Sequence, residues 1–393
     1  MSQNNQFNNT KVAFALKNNY ELSRAYYLFK MLSYQSLVSV GSSLTNVALN
    51  LNLPLKGLIR KTVFNHFCGG VNEEDCIPTI DKMYTKKVCS VLDYSVEGKE
   101  SEVDFDSARD KILDIVRFAD EKEAMPIVVF KPTGFGRFAL FQKIGEKKAL
   151  TEEEKQEWTR IVARYDAVCK LASERDVVVL IDGEETWMQD SADDLAEDMM
   201  RKYNKQKPLV YNTLQTYRWD RVDYLKEIHA RAKQGGFKLG FKIVRGAYME
   251  KERQRAEDMG YKSPICETKQ ATDDSFNSAM TYILNNLEDI SVYIGSHNEE
   301  SNYMAMEMMA KAGVARDDQR VWFGQLFGMS DHISFNMADL GFNISKYLPF
   351  GPVKDVMPYL IRRAQENTSV AGQTGRELSL LMTERSRRKT DKN

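Results

Sequence analysis

The chain has 393 residues, of which 42% are hydrophobic and 28% are charged, and its formal net charge is -1. This composition is typical of a folded chain with a sizeable core, and it excludes a disordered or fibrous protein. A net charge so near zero gives no strong field to attract nucleic acid or an anionic membrane, so we predict no nucleic-acid partner and favour a small-molecule function.

Five cysteines are scattered along the chain, and none forms a CxxC pair. An odd number of scattered cysteines argues against both a disulfide framework and a zinc site, so we predict no metal and a reducing compartment. The first ten residues are rich in Asn and Gln and lack the apolar stretch of a secretory signal. These features favour the bacterial cytoplasm, and peripheral contact with the inner membrane stays open.

Residues 1–85 are helical in pattern and carry no chemistry that we can identify, so we treat them as an N-terminal helical region. From residue 86 onward, short β-branched runs alternate with longer helical stretches, which is the pattern of βα units around a parallel sheet. We predict eight strands: Ser90 to Tyr94, Ile127 to Lys131, Val177 to Asp182, Leu209 to Leu214, Gly240 to Arg245, Val292 to Ser296, Val321 to Gln325, and Ser345 to Leu348.

Amphipathic segments separate most of these strands, and they predict helices over Asp104 to Lys122, Glu152 to Arg175, Arg221 to Lys233, Ala271 to Asn286 and Glu299 to Ala312. Eight such units predict a (β/α)8 barrel over residues 86–393. The active site of such a barrel lies at the carboxyl ends of its strands and in the loops that follow.

Polar and aromatic residues do fall at or just after seven of the predicted strand ends. A single Asp or His there is more often a helix cap or a turn residue than a catalytic group. Groups from seven units that converge on one rim are harder to explain as caps. They are Lys131, Asp182 with Glu184 and Glu185, Gln215, Arg245 with Tyr248, His297 with Asn298, Gln325, and Tyr347.

The last predicted helix carries Tyr359, Arg362, Arg363 and Glu366 at helical spacings, so one face presents two guanidinium groups. One interpretation is a solvated, salt-bridged face in which Glu366 pairs with an arginine. The other is a carboxylate clamp, because planar guanidinium forks bind carboxylates in bidentate geometry. The spacing alone leaves both interpretations open.

The segment Tyr359 to Asn367 (YLIRRAQEN) resembles the signature helix of the proline dehydrogenase family. Further segments resemble family motifs in the same order along the chain: Ile181 to Glu184, Lys242 to Tyr248, Ser296 to Asn298, Phe323 to Asp331, and Lys346 to Pro352. The likeness runs from about residue 10 to the end of that helix and is closest to the monofunctional, FAD-dependent form. It implies a distorted TIM-type barrel with a C-terminal helix over the barrel mouth.

The resemblance also implies roles for individual residues in L-proline binding. Arg362 and Arg363 would hold the proline carboxylate, whereas Lys131 and Asp182 would lie near its amine and carboxylate. Hydride loss from the carbon next to nitrogen requires a neutral amine, so nearby charges matter, and the residue that accepts the proton stays undetermined. Leu326, Tyr347 and Tyr359 would cover the substrate ring. As catalytic residues the resemblance indicates Asp182, Lys131 and Lys242.

For the cofactor, the resemblance implies FAD. Some relatives have arginine where this chain has Lys242, which exchanges a planar fork for a point charge. No G-x-G-x-x-G opens a βαβ unit, so nothing predicts a nicotinamide site. The implied FAD contacts are Gly183, Gln215, Lys242, Arg245, Gly246, Ala247, His297 and Asn298, with Lys269 and Thr272 near the adenosine end.

The activity that follows is oxidation of L-proline to 1-pyrroline-5-carboxylate, with electrons passed to a quinone. Two alternatives stay open: a hydroxyproline dehydrogenase, against which Tyr347 argues, and a catalytically silent binding barrel.

Overall fold

The computed structural model describes residues 5–34, 60–95, 98, 100–369 and 373–391, of which residues 60, 61, 364–369, 373 and 374 are described by their backbone alone. Eight parallel strands follow one another in chain order around a closed barrel, which confirms the predicted fold. The strands are β1 (Val88–Tyr94), β2 (Ile127–Phe130), β3 (Val178–Ile181), β4 (Val210–Gln215), β5 (Leu239–Val244), β6 (Ile290–Gly295), β7 (Val321–Leu326) and β8 (Ile344–Phe350).

All eight predicted strands are confirmed, with ends that differ by at most two residues. Strands such as β2 and β3 are almost continuous runs of Val, Ile, Leu and Phe because strands of a parallel sheet are buried on both faces. That composition is why the sequence signal was strong. The chain divides into two compact units: the first unit is Met1–Glu97 with Gln325–Asn393, and the second unit is Gly98–Gly324.

The second unit alternates strands with helices. Thr151 begins one of these helices with a capping box, because its hydroxyl accepts from the Glu154 N–H while the Glu154 carboxylate accepts from the Thr151 N–H. The five predicted helices are confirmed to within two residues. Numbered in chain order after the four described helices that precede β1, the helices of this unit are α5 (Glu102–Asp120), α6 (Phe138–Gly145), α7 (Glu152–Glu174), α8 (Thr186–Tyr203), α9 (Arg221–Gly235), α10 (Met249–Met259), α11 (Lys269–Leu284) and α12 (Glu299–Lys311).

Parallel pairing in the second unit brings strand ends to one edge. Phe130 of β2 lies opposite Ile181 of β3, and Gln215 of β4 lies opposite Val244 of β5. The residues that follow these positions therefore leave the sheet on the same side. This register positions the predicted site residues of the second unit.

The first unit pairs β1 with β8 along their whole length, from Val88 opposite Ile344 to Tyr94 opposite Phe350. The predicted boundary at residue 85 stays a prediction. Besides a 3-10 turn (Gln6–Asn8) and a π-helical turn (Arg60–Phe64), the described residues of this unit form the helices α1 (Thr10–Ala13), α2 (Asn19–Leu32), α3 (Asn65–Phe67), α4 (Glu73–Tyr84), α13 (Asp331–Asp339), α14 (Met357–Ser369) and α15 (Gln373–Thr390).

The helix that carries Tyr359 is not the last one, because α15 follows it. Helix α15 packs Leu380 and Leu381 into a core shared with Phe14, Leu22 and Phe29 from the beginning of the chain. Polar contacts join the same segments: the Thr10 hydroxyl donates to Glu384 at 2.9 Å, and Arg388 donates to the Phe14 carbonyl at 2.9 Å. Early and late segments therefore share one core. Among the described residues, no helix is long and apolar enough to cross a membrane.

Candidate active site

Asp182 lies between two lysine ammonium groups at the strand ends of the second unit. Lys242 of β5 donates a hydrogen bond to Asp182 Oδ1, and the Nζ of Lys131, which follows β2, is 3.7 Å from Asp182 Oδ2. The three side chains are only 8–14% exposed. Charges so poorly hydrated are tolerated where they are paired, so the structure brings the three predicted catalytic residues together as one ionic cluster.

Glu184 forms a second polar cluster two residues further along the chain. Its carboxyl group accepts from the Thr133 hydroxyl at 2.7 Å and from the Tyr248 hydroxyl at 3.0 Å. Burial raises the pKa of Glu184 to about 7, although these two hydrogen bonds act in the opposite direction. The sequence placed Glu184 at a strand end but gave no indication of these partners.

Gln215 connects three predicted cofactor positions. Its side-chain N–H donates to the Glu184 carbonyl at 2.6 Å, and its amide oxygen accepts from the Ala247 N–H at 3.4 Å. A Cβ at Gly183 would lie 3.0 Å from the Gln215 amide nitrogen, and a Cβ at Gly246 would lie 2.6 Å from the Tyr217 ring. Gly246 also has a φ of +137°, which favours glycine, so packing within the protein already requires it.

Arg245 is held on several sides by protein groups. Its guanidinium donates to Asp273 at 2.6 Å, to Ser296 at 3.0 Å and to Ser301 at 3.1 Å. Lys269 donates to the other oxygen of Asp273 at 2.6 Å. The structure therefore brings Arg245 and Lys269 together on one carboxylate, and the bonds to three partners fix the direction of the Arg245 fork.

The remaining predicted cofactor residues lie close to helix starts. Asn298 caps α12, because its side-chain oxygen accepts from the Ser301 N–H at 2.9 Å. The sequence left open that a polar residue after a strand is a helix cap, and Asn298 is one. This capping role does not exclude a ligand contact. His297 beside it is half-buried, whereas Thr272 is buried in the first turn of α11.

The first unit contains the predicted ring-covering residues and the two arginines. Leu326 packs against the apolar cluster that includes Tyr359, and the Tyr347 carbonyl accepts from the Phe327 N–H at 2.9 Å. Arg363 is buried, and its guanidinium lies 5.1 Å from the centre of the Tyr359 ring. Such burial disfavours a solvated, salt-bridged face. The proposed pairing with Glu366 lies outside the described side chains.

A second Lys–Asp–Lys cluster lies in the first unit, and the sequence did not indicate it. Asp331 is 2.9 Å from the Lys346 ammonium and 2.8 Å from the Lys17 ammonium. Lys346 also donates to the Met329 carbonyl at 2.5 Å and to the Leu326 carbonyl at 3.4 Å. Burial alone would raise the pKa of Asp331, but the two ammonium charges outweigh it and hold the pKa well below its usual range.

Comparison with known proteins gives one consistent family. A model described as proline dehydrogenase matches residues 76–376. A protein described as "Carbapenem antibiotics biosynthesis protein CarD", from Pectobacterium carotovorum subsp. carotovorum, is 36% identical over 85% of this chain and 86% of its own length. "Proline dehydrogenase 1, mitochondrial" from Dictyostelium discoideum is 30% identical over 98% of this chain and 76% of its own.

The human protein "Proline dehydrogenase 1, mitochondrial" is 41% identical, but the match covers 61% of this chain and 40% of the human one. Among solved structures, proline utilization A (PutA) from Bdellovibrio bacteriovorus, inactivated by N-propargylglycine, matches with a TM-score of 0.73 at 20% identity. That match covers 94% of this chain and 40% of the PutA chain, so this chain spans less than half of PutA. At such low identity the likeness supports the fold alone.

Proposed function

Because the chain belongs to the proline dehydrogenase family, we propose that it oxidises L-proline to 1-pyrroline-5-carboxylate with FAD as the hydride acceptor. A quinone then takes the electrons. The observation that carries this proposal is the ionic cluster of Lys131, Asp182 and Lys242 in a closed barrel: Lys131 and Asp182 directly follow β2 and β3, and Lys242 lies two residues before the end of β5. Strand ends are where barrels of this type carry their chemistry.

The proposed chemistry begins with the charge state of bound proline. Its ammonium group must lose a proton before a hydride can leave the neighbouring carbon, since the nitrogen lone pair assists that step. Asp182 provides a carboxylate that attracts the ammonium, while the Lys131 and Lys242 charges oppose a second cation nearby. The cluster can therefore bind the amine and favour its neutral form.

Arg362 and Arg363 hold the proline carboxylate in this proposal. The Arg363 guanidinium lies over the Tyr359 ring, and this contact helps to orient its planar fork and lowers the entropy cost of bidentate binding. Tyr347 and Leu326 cover the ring and shape an apolar pocket. These roles are carried over from the family motif and rest on the burial and stacking of Tyr359 and Arg363.

The residues of the second unit fit FAD by the chemistry of their donor set. Arg245 and Lys269 share the single carboxylate of Asp273, so cations outnumber anions in that cluster, as an anionic diphosphate requires. Gln215, Ala247, Gly183, Gly246, His297, Asn298 and Thr272 are the other proposed contacts, together with Lys242. When bound, FAD supplies the hydride acceptor, and the protein supplies orientation and electrostatics.

A bacterial cytoplasmic location, with peripheral contact at the inner membrane where quinones reside, is part of the same proposal. The experiment that tests the activity is an absorbance spectrum of the purified protein, followed by anaerobic addition of L-proline. We expect a flavin spectrum that L-proline bleaches faster than trans-4-hydroxy-L-proline does. A colourless protein that also fails to bind added FAD would support the silent barrel, and faster bleaching by hydroxyproline would support the hydroxyproline enzyme.

A further inference from the structure

Glu184 takes no part in the roles proposed above, yet its carboxyl group connects three strand ends. Thr133 follows β2, Glu184 follows β3 and Tyr248 follows β5. Both hydroxyl groups donate to the Glu184 carboxyl oxygens, at 2.7 Å and 3.0 Å. Glu184 is only 4% exposed, so water competes little for these hydrogen bonds.

The same three strands supply the ionic cluster. Lys131 lies two residues before Thr133, Asp182 lies two residues before Glu184, and Lys242 lies on the strand that leads to Tyr248. The Glu184 hydrogen bonds therefore join the same three strands as the Lys131–Asp182–Lys242 cluster, through residues that come later in the loop after each strand. Any shift between the loops after β2 and β3 would move Lys131 relative to Asp182, whose charged atoms are 3.7 Å apart.

The backbone of Glu184 is also fixed. Its N–H donates to the Gln189 side-chain oxygen at 2.7 Å, and its carbonyl accepts from Gln215 at 2.6 Å. Gln189 in turn donates to Asp193 at 2.7 Å. The residue is therefore anchored through backbone and side chain alike, which is what a residue that positions its neighbours requires.

We propose that Glu184 is a positioning residue for proline oxidation: its carboxyl group ties the loops after β2 and β5 to β3 and thereby fixes Lys131 relative to Asp182. This inference rests on the proposed function for its kinetic consequences, but its structural part can be tested without activity. Glu185 provides a matched control. It is equally buried, yet its carboxylate pairs with Lys251, whose side chain is 63% exposed.

Protonation of Glu184 adds a pH dependence. An ionised carboxylate accepts from both hydroxyls, whereas a protonated one carries an O–H donor on one oxygen, so the hydrogen bond at that oxygen weakens or reverses. Because burial raises the pKa of Glu184 to about 7, this change occurs near neutrality. The titratable groups that face it are Lys131, Glu185, Tyr248 and, from α7, Tyr165.

The experiment compares Glu184→Leu, Glu184→Gln and Glu185→Gln in the full chain loaded with FAD. Hydrogen exchange is followed without substrate in residues 131–135 and 246–250, and kcat and KM for L-proline are measured at pH 6 and pH 8. We expect Glu184→Leu to speed exchange in both segments about tenfold and to raise KM, since each lost hydrogen bond loosens one loop. Glu184→Gln should keep both segments protected, and hydrogen exchange in Glu185→Gln should match exchange in the wild type.

The pH arm has a defined sign. A raised carboxyl pKa means that the protonated form stabilises the fold, and this contribution is lost as pH rises from the unfolded value through about 7. Glu184→Gln is neutral at every pH, so it should lose less stability than the wild type between pH 5.5 and pH 8.

Exchange in Glu184→Leu that equals exchange in Glu185→Gln would overturn the inference, as would an unchanged pH response in Glu184→Gln. If Glu184→Leu fails to fold, Thr133→Val removes one contact alone and should speed exchange only in residues 131–135; equal exchange in that variant and the wild type would also overturn it. If the wild type does not oxidise proline, the proposed function fails while the exchange data still decide whether Glu184 positions the loops.

Discussion

The cluster of Lys131, Asp182 and Lys242 and the cluster of Lys17, Asp331 and Lys346 have the same composition, but they differ in what surrounds them. Asp182 and its lysines lie at strand ends, with Asp182 14% exposed. Asp331 is 7% exposed, and its partner Lys346 is 1% exposed and also donates to two backbone carbonyls. A carboxylate between two ammonium groups therefore does not by itself indicate a catalytic or a structural role. Its position and its remaining contacts indicate whether it acts on a substrate or holds the fold.

The largest effect that we predict separates the two clusters by stability. Asp331→Asn removes the carboxylate that pairs directly with Lys346 and Lys17. Breaking a buried pair in this way costs about 3–5 kcal/mol in the free energy of unfolding. Urea unfolding followed by circular dichroism measures this loss. Asp339→Asn is the matched control, because Asp339 is exposed on the same helix. A loss below about 1 kcal/mol for Asp331→Asn would contradict a structural role.

The opposite pattern is expected for Asp182→Asn. The side chain keeps its shape but no longer attracts the proline ammonium, so kcat/KM should fall about a hundredfold, in the range typical of lost acid–base or electrostatic assistance. The free energy of unfolding should fall less than in Asp331→Asn. Steady-state kinetics with an artificial electron acceptor and the same urea titration give both numbers. A loss of stability as large as that of Asp331→Asn would remove the distinction between the two clusters.

Arg362 and Arg363 extend the comparison to cations outside both clusters. We expect Arg362→Ala and Arg363→Ala to raise KM for L-proline roughly tenfold to a hundredfold, because each removes a charge-assisted hydrogen bond worth about 1.5–3 kcal/mol. Flavin content, read from the absorbance spectrum, should stay close to that of the wild type. Equal losses of proline and flavin binding would instead indicate that the arginines stabilise the fold.

The smallest effect concerns neighbours on β8. Successive side chains of a strand point to opposite faces, so Lys346 and Tyr347 serve different sides of the same strand. Tyr347→Ser should leave the free energy of unfolding nearly unchanged but narrow the preference for proline over trans-4-hydroxyproline, which we expect to be about tenfold in the wild type. Steady-state kinetics of the wild type and of Tyr347→Ser on proline and on trans-4-hydroxyproline measure this ratio. An unchanged ratio would mean that Tyr347 does not line the ring pocket.

The barrel could be predicted from the sequence because each strand is a local run of β-branched and apolar residues, as in β2 and β3. Asp182 directly follows β3 and Arg245 directly follows β5, so both residues could be placed once the strands were predicted. The cluster of Lys17, Asp331 and Lys346 could not be, because Lys17 is far from the other two in the chain and because only tertiary packing selects the three as partners. The hydrogen bonds of Thr133 and Tyr248 to Glu184 could not be predicted either, because these residues are also distant from Glu184 in the chain.

The shared core of α2 and α15 has a consequence for the order in which the chain matures during synthesis. Phe14, Leu22 and Phe29 leave the ribosome hundreds of residues before Leu380 and Leu381, with which they share a core. Until then these side chains are exposed, and contacts of such long sequence separation form slowly. Chaperone binding or aggregation can therefore compete with folding of α1 and α2 until α15 has been synthesised. In a chain that stops before residue 373, these side chains would stay without the apolar contacts of α15.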